Sequence, residues 1–213
     1  RAVELGCGGV LMLPPFYYKG VPEEGLYRNF SEIIQRVGDD RLRIYLYHIP
    51  PVAQVGIPLG LIERLLKDYP GIVAGAKDSS GDWSNTKAMI DNFAAQGFDV
   101  YPGSESFLLQ AMRAGGAGCI SATANVNPGP IAKLAATWQG DDADAQQEGL
   151  NVTRGIFQTY VMIPALKAAI AHYGRDPEWN RLRPPLVELT ADEQKDLVAK
   201  LDASGFTMPG LAA

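Results

Sequence analysis

Five short apolar runs, starting near residues 9, 43, 72, 98 and 117, alternate with longer stretches in which apolar residues recur every three or four positions. The runs are Val10–Leu13, Arg43–Tyr47, the Gly71-Ile-Val-Ala-Gly-Ala stretch that ends at Lys77, Phe98–Tyr101 and Cys119–Ala122. Runs this short, rich in Val, Ile, Leu and Tyr, read as strands buried on both faces. The periodic stretches predict helices over residues 22–37, 59–68, 84–93 and from Gly103-Ser104-Glu105 to about Arg113. Strands alternating with helices imply a parallel sheet with right-handed crossovers.

From Pro128 onward the pattern is helical, with helices predicted over 131–139, 141–158, 161–173 and 191–203 and an extended Arg183-Pro184-Pro185 link before the last. Pro22 with Glu23 and Glu24 suits a helix start, where a missing donor costs little and acids meet the dipole. Gly115-Gly116-Ala117-Gly118 reads as a helix stop feeding a strand rather than a phosphate cradle. No internal repeat or low-complexity linker divides the chain. Residues 1–140 are read as barrel strands and helices, and 141–213 as a helical extension.

The stretch around Lys77 is the centre of interest. An apolar strand runs into one lysine, and Asp78, Ser79, Ser80, Gly81 and Asp82 follow as turn and helix-cap residues. Strict alternation puts Lys77 on one face with Gly75 and Val73, so the amine shares its side with a residue that leaves room for a ligand. A lysine amine held there loses hydration, and its neutral form is a nucleophile toward a carbonyl.

The closure of the sheet follows from where polar residues fall. A doubly wound sheet would carry a Gly-x-Gly-x-x-Gly loop after its first strand, and none stands in that setting. Instead reactive side chains gather at successive strand ends: Tyr17 and Tyr18, Tyr47, Lys77, Gly103-Ser104-Glu105, and Ser121 to Asn125. That convergence is how a TIM (β/α)8 barrel builds its site. Five units are read here, so the first three βα units are expected upstream of residue 1.

Composition narrows the function. With 46% hydrophobic and 20% charged residues the chain is an ordinary globular one, and a net charge of −5 with no basic cluster argues against a nucleic-acid surface. Cys7 and Cys119 have no metal-ligand spacing, which makes reduced thiols in a cytoplasmic protein the default. No apolar run reaches membrane-spanning length.

Tyr47-His-Ile-Pro50, Gly75-Ala-Lys77-Asp-Ser-Ser-Gly81, Pro102-Gly-Ser-Glu105 and Gly118-Cys-Ile-Ser-Ala-Thr-Ala-Asn125, in this order and spacing, resemble the dihydrodipicolinate synthase and N-acetylneuraminate lyase superfamily. The resemblance covers almost the whole chain, including the three-helix C-terminal part with Pro164-Ala-Leu-Lys167. It implies a class I aldolase-type lyase in which Lys77 forms a Schiff base with pyruvate or another 2-oxo acid, with no metal and no cofactor. Tyr47 matches the family's proton-transfer tyrosine. Tyr17, or Tyr18 beside it, matches a relay tyrosine that in many members reaches a neighbouring subunit. Gly103 and Ile120 match positions lining the imine pocket, and Ser104 and Val52 stand beside the substrate. His48 alternates away from Tyr47 and is read as a packing group. Expected partners are 2-oxo acid and aldehyde substrates and further copies of the chain, as a homodimer or homotetramer.

Two departures shape the expectation. Where true dihydrodipicolinate synthases carry an arginine for the aldehyde's carboxylate, this chain has Val52, which cannot make a bidentate contact. The stretch before residue 9 holds no Gly-Thr-Thr type loop for the 2-oxo acid carboxylate. Three functions stay open at this point: a lyase for another aldehyde or a 2-keto-3-deoxy acid, dihydrodipicolinate synthase itself, and a non-catalytic 2-oxo acid binder on the same fold.

Overall fold

The computed structural model describes residues 1–211, which form two compact units: Arg1–Ile120 and the residues from Ser121 onward. The first unit holds a parallel sheet of four strands in the order β1 (Val10–Met12), β2 (Ile44–His48), β3 (Val73–Asp78) and β4 (Asp99–Pro102). Between and after them run α1 (Glu23–Val37), α2 (Pro50–Ala53), α3 (Leu59–Asp68), α4 (Trp83–Phe93) and α5 (Leu108–Ala114).

One face of the sheet carries the core. Ile44, Leu46, Val73, Ala76 and Val100 are buried in one cluster with Phe30, Leu61, Ile62, Leu65 and Met89 of the helices. Each of these side chains larger than alanine, fully withdrawn from water, contributes about 1.5–3 kcal/mol. Tyr45, Tyr47, Gly75, Lys77, Asp99 and Tyr101 alternate onto the other face.

That division corrects one expectation. Val73 does not share a face with Lys77, because Ile44 pairs with Val73 while the next residue, Tyr45, pairs with Gly75. Ala74 is an extra residue on β3, a bulge that turns Val73 toward the helices and leaves Gly75 and Lys77 on the opposite side.

A second correction concerns the fifth predicted strand, Cys119–Ala122, which joins no ladder. Residues 117–120 make isolated backbone bonds to β4, from the Ala117 amide to the Val100 carbonyl at 3.0 Å and from the Ile120 amide to the Pro102 carbonyl at 3.1 Å. Gly118 sits at φ +139°, outside the extended region, and interrupts the run. Ala122–Asn125 then closes into a 3-10 turn.

Local chemistry sets the helix ends. The Asp82 carboxylate accepts from the Ser84 amide at 2.8 Å and caps α4, and Gly38 at φ +58° ends α1 with its amide on the Ile34 carbonyl.

The second unit contains α6 (Pro128–Thr137), α7 (Ala143–Gln158), α8 (Met162–Tyr173) and α9 (Ala191–Ala203). Its core gathers Phe157, Ala165, Ala169, Leu197, Leu201 and Phe206. A capping box of Thr190 with Glu193 opens α9.

Candidate active site

The register of the sheet puts Tyr47 of β2, Lys77 of β3 and Tyr101 of β4 side by side at the C-terminal strand ends. Lys77 Nζ donates to Tyr47 Oη at 3.0 Å and lies 4.3 Å from the centre of its ring. Both side chains are half-buried. The two residues ranked first from sequence are therefore a bonded pair.

What holds Lys77 in place is the residue after it. Asp78 is buried on the helix side and accepts three hydrogen bonds: from Thr86 Oγ1 at 2.7 Å, Asn85 Nδ2 at 2.9 Å and the Ser80 amide at 2.9 Å. A carboxylate tied to the first turns of α4 pins the end of β3. His48, at the matching position on β2, is also buried, and its Nδ1 accepts from the Ile57 amide at 2.9 Å. Burial holds its imidazole below the usual histidine range, against the opposite pull of Asp78. It packs and orients, and it faces away from Tyr47.

One layer deeper lie Tyr45, Gly75 and Asp99. An added Cβ at Gly75 would sit 2.8 Å from the Tyr45 ring and 2.3 Å from the Asp99 carbonyl, and one at Gly9 would sit 2.8 Å from the other edge of that ring. The space left by Gly75 is thus filled by a tyrosine clasped between two glycines, not kept for a ligand. Tyr45 Oη donates to Asp99 Oδ2 at 3.3 Å. Burial first, then the Asp99 charge, raises the phenols of Tyr45 and Tyr101 above their ordinary range, so both remain protonated donors. Tyr45, Tyr101 and Ile120 border a hollow of about 400 Å³ together with Gly9 and Leu11.

Asp99 and Tyr101 were not singled out from sequence. The signal was present: in Phe98-Asp-Val-Tyr101 the odd positions alternate onto the Lys77 face.

The other candidates are placed as follows. Ile120 borders the hollow. A Cβ at Gly103 would collide with the Ser79 side chain, which by itself calls for glycine there. The Gly103 amide bonds the Asp78 carbonyl at 2.6 Å and so ties β4 to the lysine strand. Ser104 Oγ accepts from the Ser106 amide at 3.2 Å and caps the Glu105–Phe107 3-10 turn. Val52 on α2 is 75% exposed. Tyr17 is 85% exposed and stacks edge-on with exposed Tyr18, so the structure does not bring it to Lys77. Lys19 anchors this aromatic loop by donating to the carbonyls of Phe16 and of Ala53 on α2. No group of three or more His, Cys, Asp or Glu side chains able to hold a metal occurs among the described residues.

Residues 1–204 match the model of the dihydrodipicolinate synthetase family. The chain belongs to that family. An uncharacterized DapA-like lyase of Chloroflexus aurantiacus is 36% identical over 197 residues, which are 90% of this chain and 63% of the relative. A 4-hydroxy-tetrahydrodipicolinate synthase of Thermus thermophilus is 35% identical over 92% of this chain and 64% of its own length. The chain thus spans a little under two thirds of these family members. The crystal structure of dihydrodipicolinate synthase from Agrobacterium tumefaciens superposes with a TM-score of 0.85 at 30% identity, covering 95% of this chain and 68% of that one. The family fold is a TIM barrel with C-terminal helices, and the parallel βα units and helical second unit described above are parts of it. No helix among the described residues is long and apolar enough to cross a membrane.

Proposed function

We propose that this chain carries the Schiff-base centre of a lyase or aldolase acting on pyruvate or a related 2-oxo acid. The observation that supports it is the 3.0 Å bond between Lys77 Nζ and Tyr47 Oη on adjacent strand ends. The amine adds to the ketone carbon, and Tyr47 returns a proton to the carbinolamine oxygen as water leaves. The resulting iminium draws electrons from the neighbouring carbon. Loss of a proton there, or cleavage of the next carbon–carbon bond, gives an enamine, and addition of the enamine to an aldehyde is the reverse of that cleavage. Hydrolysis of the imine frees the lysine.

Val52 bears on the electrophile. The short α2 that follows Tyr47 presents an exposed valine and no guanidinium, which favours an aldehyde with no carboxylate at that end over aspartate semialdehyde.

Borohydride reduction in the presence of pyruvate tests the proposal. The expected result is a reduced pyruvyl adduct on the peptide containing Lys77 and none in Lys77→Arg. An unmodified Lys77, or an adduct on another lysine, overturns it. Condensation assays with aspartate semialdehyde and with uncharged aldehydes then separate the synthase reaction from the alternative. Adduct formation with no product from any aldehyde would favour a 2-oxo acid binding protein.

A further inference from the structure

The second unit contains a hollow of about 420 Å³ walled by α6, α7 and the segment that follows α9. Its size lies in the range of small-ligand sites. Three features distinguish it from an ordinary surface dent.

The first is Asn127. It precedes α6 at the capping position, yet its side chain makes no capping bond, and only its backbone amide is engaged, with the Thr123 carbonyl at 2.8 Å. The residue is only 6% exposed and borders the hollow. A buried amide side chain ordinarily finds partners within the fold. This one makes no capping bond, and the residue lines a space that a ligand can fill.

The second is Gly149, in the interior of α7. Glycine is disfavoured within a helix, and a Cβ here would meet nothing within 4 Å, so packing against the rest of the fold does not call for it. Gly129 on the same hollow is equally bare, whereas Gly205 answers to its left-handed backbone at φ +73°. Two glycines thus leave the walls open.

The third is charge. None of the bordering side chains is a carboxylate, and the one charged group among them is the Lys133 ammonium. Its nearest carboxylate, Asp142, is 3.8 Å away, and both side chains are largely in solvent. Deeper in, Leu150 and Phe206 supply an apolar floor.

From these we infer that the hollow binds a small organic carboxylate, its head on the Asn127 amide and the Lys133 ammonium and its short apolar body on Leu150 and Phe206. The site lies wholly within the second unit and is independent of the chemistry proposed at Lys77.

Benzoate is the probe, titrated into the isotope-labelled chain and followed by the side-chain amide signals of Asn127. The expected result is a saturable shift, a loss of affinity of roughly tenfold or more in Asn127→Asp, where like charges meet, and a smaller, severalfold loss in Lys133→Gln. Lys133 is exposed, so the second variant reports on binding even if the first disturbs folding. Gly149→Leu should close the space and abolish the shift, while Lys77→Ala should leave it unchanged. Benzyl alcohol, which matches the body without the charge, should bind at least roughly tenfold more weakly. An Asn127 signal that does not move, equal binding of benzyl alcohol, or wild-type affinity in both Asn127→Asp and Lys133→Gln would overturn the inference.

Discussion

Removing the Tyr47 hydroxyl is the sharpest change that can be made at a single residue. Tyr47→Phe should slow deuterium exchange at the pyruvate methyl group, a direct readout of enamine formation, by about a hundredfold or more, while borohydride still traps an adduct on Lys77. Lys77→Ala should abolish both signals. His48 gives a prediction of another kind. Its imidazole is held below the usual histidine range by burial, so as pH falls the unfolded chain takes up this proton before the folded one. The stability owed to the neutral ring is complete above about pH 6.5 and drains away as pH drops toward the lowered folded value. The urea midpoint should therefore fall between pH 7 and 5.5. His48→Asn, which keeps an acceptor for the Ile57 amide, should flatten that slope. Lys77, Tyr47 and the inward turn of His48 were legible because alternation along a strand is a local property. The filling of the Gly75 space by Tyr45 was not, because that contact crosses between strands and no local pattern encodes it.

Among the elements, the turn from β3 into α4 bears the most on the site. Asp78 accepts from three donors while almost fully buried, so Asp78→Ala leaves those donors without their acceptor and should cost about 3 kcal/mol, measurable as a lower denaturation midpoint. The capping box on α9 offers a milder comparison. Thr190→Ala should cost about 1 kcal/mol and leave pyruvate exchange unchanged. The strands and most helices were readable from periodicity and caps; Pro22 and Asp82 stand where helices begin. The missing fifth strand shows the limit of that reading. Cys119–Ala122 has the composition of a strand, but Gly118 gives the backbone a left-handed φ just before it. Composition alone does not reveal which way a glycine will turn.

At the scale of the whole molecule, the family and its fold were legible from four motifs in order, whereas the hollow beside Asn127 was not, since its walls come from segments about eighty residues apart. The charge balance supports one further expectation. With a net charge of −5 and an isoelectric point near 5.1, self-repulsion vanishes close to pH 5, and light scattering should show association rising there.

The bulge at Ala74 has a consequence for how this chain can change over evolutionary time. Losing one residue from the middle of a strand ordinarily inverts every side chain beyond the gap. Here the loss of the Ala74 codon would merely straighten β3: Val73 would still look toward the helices, and the nucleophile would still look toward Tyr47. The strand most central to the chemistry is thus one that a lineage can shorten by one residue without reversing its faces.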